Sequence, residues 1–122
     1  VAMRWQAYTN EHKRNEAIVA LSKAEAVQPG NVAVSGSIGN SYMYKAQDAA
    51  EQATQGGKRL TPEAEKQIID VYKQAISYLE KAKELDTTMQ FKSVWAYSLY
   101  TCCYRALGPA DAKTKEAAAL TK

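Results

Sequence analysis

Histidine occurs once in these 122 residues and cysteine twice. A catalytic triad or a metal site needs several such side chains to converge. His12 stands between Glu11, Lys13 and Arg14 and reads as an exposed turn residue. A dyad with Cys102 or Cys103 is open on spacing alone, with no third residue to support it. The two cysteines are neighbours. Helical neighbours point about 100° apart, whereas a disulfide needs facing Cβ atoms, so one buried and one partly exposed thiol are expected. Long apolar runs are missing as well. Ala17-Ile18-Val19-Ala20-Leu21 is among the longest, and a bilayer span needs about 20 residues, so no membrane span is expected. The N-terminus lacks the layout of a signal peptide and opens as if within a helix, so the chain is expected to be a piece of a longer protein. Single-sign charge runs are short. Net charge is +3, and basic clusters stop at pairs such as Lys13-Arg14 and Lys58-Arg59. Nucleic-acid binders show a basic stripe or patch, so no nucleic-acid partner is expected.

Nucleotide and hydrolase motifs are absent too. No H-E-x-x-H, C-x-x-C or G-x-S-x-G pattern occurs. Gly57-Lys58 resembles the end of a phosphate-binding loop, but Gln52 stands at its opening glycine and Arg59 replaces the hydroxyl residue. Gly36-Ser37-Ile38-Gly39 lacks the third glycine of a dinucleotide fingerprint and reads as close helix packing. Carboxylates such as Glu63, Glu65, Asp70, Glu80 and Glu84 fall on polar helix faces, where charged groups are ordinarily solvated. The expectation is a non-enzyme without cofactor or metal, and no catalytic residue is assigned.

What is present is helical periodicity with sparse punctuation. Pro29-Gly30-Asn31, Gln55-Gly56-Gly57-Lys58-Arg59 and Leu107-Gly108-Pro109 are breaks, and Asp86-Thr87-Thr88 is a weaker one. Thr61-Pro62 reads as an N-cap followed by proline at the first helical position. The stretches between predict six helices, over residues 1–12, 15–27, 32–54, 62–85, 90–107 and 110–120. No segment sustains the period-2 alternation of a strand. The fold class is all-α, built from antiparallel helical hairpins.

One stretch repeats. Ala17, Leu21, Ala24, Val27 and Pro29 recur in order and spacing as Ala75, Leu79, Ala82, Leu85 and Thr87. Alternating small and large apolar side chains on one helix face let neighbouring helices approach closely. Ile38-Gly39-xx-Tyr42 supplies a second pattern, and Tyr104-xx-Leu107-Gly108 fits the end of another such helix. With these motifs the chain resembles the tetratricopeptide-repeat (TPR) family over nearly its whole length. The segment from Ala75 to Asp86 carries the resemblance best; Thr87 replaces the motif's proline, and the last helix matches poorly. The resemblance implies a single TPR-like domain over residues 1–122, about two and a half repeats, stacked in a right-handed superhelix.

Ala17 and Ala75 lie 58 residues apart, against a family period of about 34. The surplus falls between Tyr42 and Ala75, where both flanks keep a helical pattern. It predicts a central hairpin lengthened by about three turns, or ~15 Å, with Gly56-Gly57 at its tip. Such hairpins are similar to those of TPR proteins from Bacteroidetes-type bacteria, many of them exported, and that likeness favours a periplasmic or exported location. The resemblance also implies a concave groove for a protein or peptide partner, lined by Gln6, Asn10, Ser37, Asn40, Tyr44, Trp95, Ser98 and Arg105. The expected function is a protein-interaction scaffold. The alternatives are a glycan or small-molecule module of a nutrient-uptake system, with Trp95, Tyr97 and Tyr44 around a pocket, and self-assembly into a homo-oligomer through the long hairpin.

Overall fold

The computed structural model describes the backbone of residues 2–121 and the side chains of residues 12–121. Within them the chain forms five α-helices: α1 (Ala2–Val27), α2 (Val32–Ala53), α3 (Pro62–Leu85), α4 (Lys92–Leu107) and α5 (Ala112–Leu120). A 3₁₀ turn at Gln55–Gly57 joins α2 to α3. Successive helices pack against each other along the whole chain, and α2 also packs against α4.

The helix boundaries follow local chemistry. Asn31 caps α2 by accepting from the Val34 N–H at 3.1 Å. Thr61 caps α3 by accepting from the Ala64 N–H at 3.1 Å, with Pro62 opening the helix. Asp111 does the same for α5, accepting from the Lys113 N–H at 2.9 Å. Each cap satisfies an N–H that the helix leaves without an internal partner. Gly108, at φ 88°, ends α4.

The expected break between residues 12 and 15 does not occur. The two short helices expected there are one, α1, and the count falls from six to five. The Lys13-Arg14-Asn15 segment contains neither Gly nor Pro, and Lys and Arg are good helix formers. His12 Nε2 and Glu16 Oε1 meet at 2.9 Å with i,i+4 spacing across the expected break, a contact that a continuous helix provides. His12 is therefore an exposed helix residue, not a turn residue.

The hairpin of α2 and α3 is long, at 22 and 24 residues against 16 in α4. Its bounds lie within a residue of those expected, 32–54 and 62–85. In the connection at its tip Gly56 and Gly57 adopt φ of 73° and 77°. Glycine takes this left-handed conformation without the clash a Cβ would bring.

Two glycines set the helix spacing. An ideal Cβ on Gly39 would lie 2.5 Å from Leu79 Cγ and 3.2 Å from the Ala75 carbonyl. One on Gly36 would lie 2.6 Å from Val94 Cγ1. Gly39 thus lets α3 approach α2, and Gly36 lets α4 do so. The Gly36–Gly39 stretch serves helix packing, as its sequence suggested. Around these contacts Ile38, Ala46, Ala75, Leu79, Ala82, Trp95, Leu99 and Cys102 are buried. The core runs through α2, α3 and α4 and is closed by Ala117 of α5.

Candidate functional site

Helices α2 and α4 run side by side and parallel. The Asn40 side-chain N–H donates to the Val94 carbonyl at 3.0 Å. Ser98 Oγ donates to Asn40 Oδ1 across a separation of 58 residues. Gly36 meets Val94 at that same separation, so the two contacts define one register. Extending it along both helices places Arg105 opposite Gln47. The register equals the spacing at which the Ala17 pattern recurs at Ala75. The sequence repeat and the α2–α4 pairing therefore share one period.

The face formed by this pair carries most of the residues singled out in the sequence, in unequal roles. Asn40 and Ser98 are half-buried and bond to each other and to the α4 backbone. These bonds cross-link α2 to α4. Trp95 is fully buried. Its indole N–H donates to Asp86 Oδ2 at 2.9 Å, and the Phe91 backbone N–H donates to the same oxygen at 2.9 Å. Trp95 is a core anchor, and it cannot line an open pocket with Tyr44 and Tyr97. Ser37 is half-buried, and its carbonyl accepts from Ser41 Oγ at 2.9 Å. The side chains of Gln6 and Asn10 lie outside the described residues.

Tyr44 and Arg105 remain exposed. Spacings of three and four residues place Ala33, Ser37, Asn40, Tyr44 and Gln47 on one stripe of α2. The same rule places Tyr97, Thr101 and Tyr104 on one stripe of α4. Tyr97 is 69% exposed, Tyr104 44% and Tyr44 43%. Half-buried Tyr100 links the α4 rings, with centroids 6.4 Å from Tyr97 and 6.1 Å from Tyr104. At the α1 edge, the Arg14 guanidinium lies 4.9 Å from the Tyr44 ring centroid, and its Nε donates to Asp48 at 3.2 Å. That cation–π contact holds the Tyr44 ring. Sequence reasoning overlooked Asp86 and Tyr104 as key positions. The i, i+3, i+7 spacing of Tyr97, Tyr100 and Tyr104 was the available signal for the second.

The only cysteines offer no poised nucleophile. Both are buried and free, which corrects the expectation that one would be partly exposed. Burial pushes the Cys102 thiol up to about 12, and the neighbouring Cys103 adds to the rise. Burial also pushes Cys103 to about 11, with the Glu80 carboxylate contributing. A nucleophilic cysteine needs its thiolate stabilised, and here it is disfavoured. Beside Cys103 lies a cleft lined by Glu80, Lys83, Lys113 and Glu116. Within it Lys83 pairs with Glu116 at 2.6 Å and Lys113 with Glu80 at 3.4 Å, and Glu84 lies on the same wall. Among the described residues no group of three or more His, Cys, Asp or Glu could hold a metal ion, and no helix is long and apolar enough to cross a membrane.

No family model, curated protein or solved structure matches the chain.

Proposed function

We propose that this chain is a TPR-like helical-repeat scaffold that binds a segment of a partner protein across its α2–α4 face. The observation that carries this reading is the exposed tyrosine set Tyr44, Tyr97 and Tyr104 on two parallel helices. Ser37, Gln47 and Thr101 surround it. Tyrosine offers a large, rigid contact area with a hydrogen-bonding tip at low entropy cost, and small polar residues adapt around it. Tyrosine and arginine dominate the energetics of protein recognition. Asn40 and Ser98 hold the platform together in this reading, and the contacts to the partner come from the tyrosines and Arg105.

The TPR-like architecture is supported by the 58-residue register shared by the sequence repeat and the α2–α4 pairing, and by the unbroken run of packed neighbouring helices. In this arrangement α2 and α4 are the inner helices, and α3 and α5 back them. The domain binds and does not catalyse.

A display selection of random peptides on the immobilised chain tests the reading. A triple variant, Tyr44→Ala, Tyr97→Ala and Tyr104→Ala, serves as counter-selection after circular dichroism confirms its helicity. Peptides retained by the wild type and released by the variant support the α2–α4 face. Retention by both moves the site elsewhere. Failure to enrich any peptide, together with binding on a glycan array, replaces the scaffold with a sugar-binding module.

A further inference from the structure

We infer that the face of α1 lined by Ala17, Leu21 and Ala24 is an acceptor for an α-helix of a partner protein. The chain contains its own template for this contact. Shifted by the 58 residues that separate Ser98 from Asn40, α1 coincides with α3. Val27 falls on Leu85, the last residue of α3, and Ala2 falls on Leu60, beside the start of α3 at Pro62. The two helices also bury one face alike. Ile18 of α1 is 9% exposed and its counterpart Ile76 of α3 is 7% exposed. Each helix packs on the one that follows it, α1 on α2 and α3 on α4.

The other face differs. Ala75, Leu79 and Ala82 of α3 are each 0% exposed, and α2 packs against them. Their counterparts are open: Ala17 and Leu21 are only half-buried, and Ala24 is exposed. Among the described residues no helix plays for α1 the part that α2 plays for α3. A scattered exposed alanine needs no explanation. Here, however, the same order of small and large side chains is closed by a helix in one place and left open in the other.

The α2–α3 contact also specifies the helix that fits. An ideal Cβ on Gly36 of α2 would lie 4.0 Å from Ala82 Cβ, and Gly39 meets Leu79 and the Ala75 carbonyl. Tyr42 stacks on Tyr78 with centroids 5.6 Å apart. Transferred to α1, a helix running antiparallel to it meets Ala24 and Leu21 with two small residues three apart. It meets Ala20 with an aromatic residue three further on. Ala20 stands where α3 has Tyr78, which leaves space for a ring larger than tyrosine. The partner segment is therefore an amphipathic helix reading small-x-x-small-x-x-aromatic, docked by its apolar face. A second copy of this chain is poorly equipped to supply it. Its only glycine-bearing helix is α2, which is held by α1, α3 and α4.

A fluorescein-labelled peptide with the sequence of residues 31–54 is the probe, titrated with the full chain in fluorescence anisotropy. It should bind saturably, and a peptide with Gly39→Leu should bind about tenfold more weakly or worse. Ala24→Glu in the chain should abolish binding; Ala24 is exposed, so the fold does not depend on it. Tyr97→Ala should leave this binding unchanged, because the α2–α4 surface is a separate one. An isolated helix of this length is marginal in water, so a fusion gives a second reading. Residues 31–58 joined ahead of Val1 place a tethered copy of α2 in the α2–α3 register. The fusion should raise the thermal midpoint and slow deuterium exchange across residues 17–24, and Gly39→Leu in the copy should undo both. No saturable binding together with no gain in the fusion overturns the inference. Binding that survives Ala24→Glu, or is lost with Tyr97→Ala, overturns it by placing the peptide elsewhere. A dimer of the wild-type chain in sedimentation that Ala24→Glu disperses would give the face to a second copy and overturn the assignment to a partner.

Discussion

At the scale of single residues, Asp86 is the most consequential side chain that the sequence did not advertise. One of its oxygens accepts two hydrogen bonds, from the Trp95 indole and the Phe91 backbone, and the residue is only 3% exposed. Removing it strands a buried indole N–H, which costs about 1–3 kcal/mol, on top of the lost bonds to a charged acceptor. Asp86→Ala should therefore lower the unfolding free energy by about 3 kcal/mol in urea titrations, while Asp86→Asn, which keeps an acceptor, should lose less. The thiols make a second residue-scale prediction. In the folded chain burial raises Cys102 to about 12 and Cys103 to about 11, whereas unfolded thiols ionise near the ordinary 9.0. Above that value the unfolded state gives up protons that the folded state keeps, so stability should fall as pH rises through and beyond about 9. Below it this contribution is constant. Both thiols should react slowly with iodoacetamide at pH 8, and at the ordinary rate in denaturant.

At the scale of helices, the instructive element is α1. The charged segment around His12 resembles a turn, but nothing in it stops a helix, and the structure continues through. Lys13→Pro tests this directly. Within a continuous helix it should cost about 3 kcal/mol, whereas in a turn between two helices it would cost little. The α2–α3 contact offers a second test. A methyl group at Gly39 would press on Leu79 and on the Ala75 carbonyl. The carbonyl belongs to the α3 backbone and cannot rotate away as a side chain can, so the helices would have to part. Gly39→Ala should lower stability by about 1–3 kcal/mol, measured by thermal or urea unfolding. At Gly36 the obstacle is the Val94 side chain, which can turn, so Gly36→Ala should cost less.

At the scale of the whole molecule, burial is unevenly spread. The core belongs to α2, α3 and α4, with Ala117 of α5. Among the described side chains of α1 only Ile18 is buried. Local opening follows local burial, so amides of residues 16–27 should exchange with deuterium sooner than those of central α3 around Leu79. Equal protection of the two would mean that the chain opens as one cooperative unit.

The sequence by itself determined the helical class, the N-cap at Thr61, the hairpin tip at Gly56-Gly57 and the packing role of Gly36 and Gly39. These depend on local rules, since caps, breaks and small-residue spacing act within a few residues of chain. It also contained the 58-residue repeat, because helices with the same packing partners need the same order of small and large side chains. Only the tertiary structure decided which candidates face solvent. Trp95 and Tyr97 are two residues apart, yet one is buried against Asp86 and the other is the most exposed tyrosine of its helix. Asn40 and Ser98 look like binding groups until α2 and α4 are aligned and bond them to each other. Composition could not reveal this, because the partner that satisfies a polar group comes from a distant part of the chain, and only packing brings the two together.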